Sequence, residues 1–237
     1  MRLAQLLDPW PAPPSPVVMP AHVGGLAAWQ DLLRRGALTL LRDAFLGAAD
    51  AVAVPVGTRV TPAHRALAVI ASFLGSRPSG GVLPALPPRA VVAGASAAWV
   101  YTGLCDGAAA RCLTAGTVVL ELAHDAGARR PDVPAGVLLR CSPGLTRDTI
   151  GIGGVAVTSP ARTAADVACR LPFEHAVPVL RTLAAGSRDL TPVDLRLVER
   201  ALETRGRVVG RPAARRALAA ARADEVDPSV PWPGRVR

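Results

Sequence analysis

The chain of 237 residues contains no lysine, and all 27 of its basic residues are arginine. A Gly-rich phosphate loop ending in Lys is therefore excluded. Aromatic residues are nearly as scarce at 3%, although half of the chain is apolar. A core of that composition has to be built from Ala, Val and Leu. The four cysteines, Cys105, Cys112, Cys141 and Cys169, include no Cys-x-x-Cys pair. Cys105, Cys112 and His124 match no common zinc spacing, so free thiols in a reducing compartment are expected. His22, His64, His124 and His175 form no HExxH-like pair, and no GxSxG elbow occurs. No cofactor, metal or catalytic group is expected, and the chain reads as non-enzymatic. No apolar run reaches the roughly 18 residues of a membrane span, and residues 3–7 are too short a run for a signal peptide. The expectation is a soluble, cytoplasmic protein.

What is present is positive charge. The formal net charge is +9, which favours an acidic partner, either nucleic acid or an acidic protein. The 22 Gly and 23 Pro, like the exclusive use of arginine, read as a GC-rich coding bias rather than as a function.

The most informative stretch runs from Val155 to Leu171 and contains VTSPARTAADVACRL. Val155 and Val157 are β-branched, as a buried strand end requires. Ser159 can cap a helix, and Pro160 suits the first helical position, where its missing N–H is not needed. Val167 and Leu171 lie four residues apart with Thr163 one turn earlier, so that row can face a core. Arg162 and Asp166 share the neighbouring face. Their pairing reads as a surface ion pair or as a clamp back onto the preceding turn.

Two other segments accompany this one. Ser96 to Leu104 reads SAAWVYTGL, and Gly136 to Arg140 is strand-like, with Leu145 and Asp148 following it. In order and spacing, over roughly residues 90–223, the three segments resemble the AbiEi-type antitoxins of type IV toxin–antitoxin systems. The resemblance implies a transcriptional regulator. An N-terminal winged helix would bind and repress the promoter of its own operon as double-stranded DNA, and a C-terminal domain would counter a nucleotidyltransferase-type toxin. The family motif falls on Ser96, Trp99, Thr158, Ser159, Pro160, Arg162, Thr163 and Asp166, to which a structural role is assigned. Some relatives carry a fused nuclease domain with paired carboxylates and a Lys; no Lys is present here, and Asp227 to Pro233 does not match the start of that domain.

The expected fold class is α+β: a partial winged helix-turn-helix, then a small mixed β-sheet packed with helices, then a helical C-terminus. Residues 1–25 read as a Pro-rich arm, 26–78 as a degenerate winged-helix-like region, 89–223 as the core domain and 224–237 as a disordered tail. Within the second region, residues 26–35 form a helix, and 37–41 and 44–46 form a hairpin. Gln30, Arg34 and Arg35 would approach DNA, and Arg42 would sit on the wing. A further helix starts at Thr61-Pro62 and runs to about residue 74.

In the core domain, 95–103 is a short Ala-rich helix with Trp99 as a core anchor. Strands are expected at 116–122, 136–141 and 149–157, with Arg129 and Arg130 on a turn between them. A helix over 173–185 should break or kink at Pro178. Thr191 should cap the next helix, with Leu195, Val198 and Leu202 as its apolar stripe. On the last helix, 212–223, Arg211, Arg215, Arg216 and Arg222 make the densest basic face in the chain, a surface for DNA backbone or for a partner. The alternative to DNA reading is a protein–protein interaction module that has lost it.

Overall fold

The computed structural model describes residues 17–43, 51–71, 86–87, 89–104, 120–133, 136–204 and 208–223. The expectations for most of the arm, for a strand at 44–46, for the Gly/Pro-rich boundary, for Cys105 and Cys112, and for the tail lie outside these residues. The fold is α+β.

At the N-terminal end, Pro20–Val23 is one turn of 3-10 helix, followed by α1 (Leu26–Arg34), β1 (Leu38–Arg42) and β2 (Val52–Pro55). β1 and β2 are antiparallel, with Leu40 opposite Ala53. The hairpin partner is thus residues 52–55, and Arg42 lies in the ladder opposite Val52. On the other side of β2, Val18 exchanges both backbone hydrogen bonds with Ala53, at 2.8 and 2.9 Å. Trp29 is 2% exposed and closes a small cluster with Ala51 and Ala53, against which Val18, Leu33 and Leu38 pack. Burying one indole in this way is worth about 2–3 kcal/mol, enough to fix α1 on the hairpin.

α2 (Pro62–Ile70) begins with a reciprocal cap: His64 N donates to Thr61 Oγ1 at 3.4 Å, and Thr61 N donates to His64 Nδ1 at 3.2 Å. A histidine here fills the position that Glu or Gln takes in the usual capping box. The main apolar cluster unites α2 with Val52 and Val54 of β2 and with the C-terminal half. The core is therefore continuous across the Gly/Pro-rich stretch.

The second sheet has five strands in the order β5-β4-β3-β7-β6, from β3 (Val91–Val92), β4 (Leu120–His124), β5 (Val137–Cys141), β6 (Thr149–Ile152) and β7 (Val155–Thr158). β3 runs parallel to β7 and antiparallel to β4, β4 parallel to β5, and β6 antiparallel to β7. Val92, Leu122 and Val157 enter the main core, while the alternate residues Val91, Ala93 and Ala123 form a second cluster with Leu145. The single strand expected at 149–157 is two strands. Gly153 and Gly154 adopt φ of +56° and +81°, the left-handed pair that a two-residue hairpin turn requires. The central strand β3 has only two residues, too few for any periodicity.

α3 (Gly94–Thr102) is buried at every residue from Gly94 to Tyr101, Trp99 included. A helix apolar on all sides is a core helix. Against it pack α4 (Pro160–Arg170) and α5 (Phe173–Ala185); α6 (Leu195–Thr204) lies on α4, and α7 (Arg211–Ala223) on α4 and α5. α5 runs without a break through Pro178, which lies on the exposed side, where the carbonyl deprived of a partner can meet water. One expectation changes. α6 is capped by Asp194, whose Oδ1 accepts from Arg196 N at 2.8 Å. Thr191 is held too far back, because Val193 N donates to Leu183 O at 2.9 Å. Among the described residues, no helix is long and apolar enough to cross a membrane.

Candidate functional site

α4 begins as its sequence requires. Ser159 caps it by accepting from Arg162 N at 3.3 Å, and Pro160 takes the first turn. Thr163 Oγ1 folds back to Thr158 O at 3.2 Å and lies 2.8 Å from Thr158 Oγ1. Tyr101 Oη donates to the same Thr158 carbonyl at 2.6 Å, linking α3 to the strand–helix turn. Burial pushes the Tyr101 phenol well above its usual pKa, so it remains a donor.

The Arg162–Asp166 pair is buried rather than on the surface. The Arg162 side chain is 6% exposed and its Nη1 lies 2.8 Å from Asp148 Oδ2, while its Nε lies 3.3 Å from Asp166 Oδ2. Its Nη2 donates to the buried Ser142 hydroxyl. One turn on, Arg170 joins Asp166 at 3.2 Å to Glu121 at 3.2 Å, and Arg140 Nε meets the same Glu121 Oε1 at 2.6 Å. The result is an alternating chain, Asp148–Arg162–Asp166–Arg170–Glu121–Arg140, in which three guanidinium groups balance three carboxylates. Burial raises the Asp166 pKa above the ordinary carboxylate range, against the lowering effect of Arg170 and Arg162. For Arg162, the loss of hydration is outweighed by Asp166 and Asp148, and its pKa is raised.

Glu121 carries a second task. Its Oε2 accepts from Ala95 N at 3.0 Å, at the positive end of α3. Gly94 permits this approach: it has φ +53°, and a Cβ there would overlap the Glu121 carboxylate. Ser96 Oγ accepts from Glu121 N at 2.9 Å. At the other end of α3, Arg65 donates to Val100 O at 2.8 Å and to Tyr101 O at 3.0 Å. Both ends of the core helix are thus matched in charge.

The structure therefore connects Ser96, Thr158, Ser159, Arg162, Thr163 and Asp166 into one framework, with Trp99 packed behind it. Chemically it is a clamp, in which the Arg162 and Glu121 polar atoms are spent on one another and on backbone. Glu121, Arg140, Ser142 and Arg170 were not singled out from the sequence. Arg170 extends the i, i+4 spacing of Arg162 and Asp166, and Glu121 is an acid inside an apolar run; both signals were readable. Among the described residues, no group of three or more His, Cys, Asp or Glu is placed to hold a metal.

The other candidate residues lie apart. Gln30 is exposed in the middle of α1 and Arg34 and Arg35 at its C-terminal end, and both arginines reach the same Asp31, at 3.3 and 2.8 Å. Exposed pairs of this kind are weak and are readily exchanged for a stronger anion. Arg42 is turned towards the protein, its Nε donating to Ala68 O at 2.8 Å. On α7 the basic face is largely answered by α6: Arg215 makes a bidentate pair with Glu203 at 2.7 Å, and Arg222 meets Glu199 at 2.7 Å. Arg211 is half-buried and Arg216 is exposed. Arg129 and Arg130 are exposed after the β4 turn. Comparison with protein-family models and with curated proteins found no match for this chain.

Proposed function

We propose that this chain is a non-enzymatic, cytoplasmic DNA-binding regulator resembling the AbiEi antitoxins, with α1 as the helix that enters the major groove. One observation carries the reading. Val18 pairs with β2 from the side opposite β1, and between Val18 and β1 lie a helical turn and then α1. Strand, helical turn, reading helix and two-stranded wing follow one another in that order in a winged helix-turn-helix. Gln30 in the middle and Arg34 and Arg35 at the C-terminal end stand exposed on the helix such a module presents to DNA. In this reading the Arg162 framework is a rigid mount, and the C-terminal half counters a nucleotidyltransferase-type toxin.

The pairing of Arg215 and Arg222 with glutamates favours a second reading for α6 and α7. With their charges satisfied within the protein, these helices suit a protein partner better than DNA backbone.

The test is binding of the full chain to its own upstream DNA and to scrambled DNA over a salt series. Each phosphate neutralised contributes about −0.9 to the slope of log K against log salt. Preference for the upstream DNA that is lost in the Arg34→Ala/Arg35→Ala variant supports the reading. Equal binding to both DNAs removes sequence recognition, and no binding at all leaves the protein–protein module.

A further inference from the structure

α6 turns Leu195, Val198 and Leu202 into the core, so its outer surface is made by the residues between them. Two rows run along that surface. Arg196 and Arg200, four residues apart, are both exposed. Beside them Leu197, 57% exposed, and Ala201 form an apolar row at the same spacing. Residues so spaced are neighbours on a helix, so each row is continuous.

The two arginines have carboxylates nearby on their own helix, and those carboxylates are engaged elsewhere. Glu199 and Glu203 stand three residues after Arg196 and Arg200, a spacing that allows an ion pair within a helix. Both turn across to α7 instead, Glu199 to Arg222 at 2.7 Å and Glu203 to Arg215 at 2.7 Å. Asp194 is held at the start of the helix, where it accepts from Arg196 N at 2.8 Å. No described residue pairs with the guanidinium of Arg196 or of Arg200.

The chemistry of the two rows selects a partner. A phosphate backbone would pair with the arginines, but it would lie against Glu199 and Glu203, which flank them, and would leave Leu197 without a contact. A protein helix with carboxylates in one row and apolar side chains in the next satisfies both rows at once. Resting on the reading in which α6 and α7 face a protein, we propose that the outer face of α6 docks an acidic amphipathic helix of a partner protein. Acids four residues apart on that helix meet Arg196 and Arg200, and its apolar row covers Leu197 and Ala201.

Fluorescence anisotropy of the full chain with three labelled helical peptides, each about three heptads long, tests this. The first carries Leu in one row and Glu in the row beside it; the second has Gln for every Glu, and the third Ser for every Leu. The first should bind, and each of the others at least about tenfold more weakly. Arg196→Ala/Arg200→Ala and Leu197→Gln should each weaken the first peptide by about fivefold or more. Ala and Gln are good helix formers, so α6 is kept, as circular dichroism checks. Arg129→Ala/Arg130→Ala, which removes the same charge from the turn after β4, should leave binding unchanged. Absence of binding by the first peptide overturns the proposal. So does binding that the α6 variants leave intact, or that Arg129→Ala/Arg130→Ala lowers equally. Two results separate the ways of failing. Equal binding of the Glu and Gln peptides, lost in Leu197→Gln, keeps a protein-facing α6 and removes the acidic partner. A salt slope for scrambled DNA that shrinks by about 0.9 or more in Arg196→Ala/Arg200→Ala removes the protein-facing reading itself.

Discussion

Arg162 Nη1 and Asp148 Oδ2 are 2.8 Å apart, joining the first turn of α4 to the 3-10 turn Leu145–Asp148 that precedes β6. The same short segment is tied twice, because Ser159 N also donates to Asp148 O at 2.6 Å. One buried guanidinium thereby holds a loop, a strand–helix turn and the carboxylate of Asp166 in register.

Removing that guanidinium leaves Asp166 buried with one of its counter-charges missing. Arg162→Met is therefore expected to destabilise the fold by about 3–5 kcal/mol, as when one member of a buried pair is deleted. Urea unfolding followed by circular dichroism measures it; a change within experimental error would show that the clamp carries no stability.

The pH dependence of stability should carry two contributions of opposite sign. Asp166 has a raised pKa in the folded chain, because burial outweighs Arg170 and Arg162. Its contribution is greatest below the ordinary carboxylate value and is lost as pH rises through the raised folded value. Glu203 is held low, chiefly by the Arg215 hydrogen bond. Its contribution is present above the ordinary value and is lost as pH falls through the lowered one. Asp166→Asn should thus flatten the falling limb of stability above the ordinary carboxylate range, and Glu203→Gln the rising limb below it. Denaturant midpoints across that range decide, and a limb unchanged in its own variant refutes the assignment.

Two glycines with positive φ should behave differently. Gly154→Ala meets nothing within 4 Å, so only backbone strain of about 1–2 kcal/mol is expected. Gly94→Ala adds an overlap with the Glu121 carboxylate and dislodges the cap of α3, so its loss should exceed that of Gly154→Ala by about 1–3 kcal/mol. Equal losses in thermal unfolding would remove Glu121 from the stability of α3.

The start of α6 can be located by substitution. Asp194→Ala should lower stability by about 1 kcal/mol, the worth of an N-cap, and Thr191→Ala by much less. The reverse order in parallel urea titrations would return the cap to Thr191.

Much of the local structure was legible. Ser159-Pro160 ahead of an apolar i, i+4 row marks α4, Thr61-Pro62 marks α2, and the Leu195–Val198–Leu202 stripe is buried on α6. Where the reading differed, distant contacts had intervened. Thr191 and Asp194 are equally good caps in isolation, and the bond from Val193 N to Leu183 O selects Asp194. β1 pairs with residues 52–55, which the sequence pattern does not single out, and Val18 and Trp29 pack with that strand. β3 is too short to announce itself and exists because β4 and β7 flank it.

By itself the sequence determined where helices begin, which rows are apolar, and that Arg162 and Asp166 share a helix face. These depend on neighbours within about four residues, a spacing set by helix geometry. Tertiary structure alone decided that Arg162 is buried, that Glu121 caps α3 while holding Arg140 and Arg170, and that Glu199 and Glu203 answer the arginines of α7. The Coulomb energy and hydration of a charge depend on what other elements bring within a few ångströms of it, and those groups lie 12 to 49 residues away along the chain.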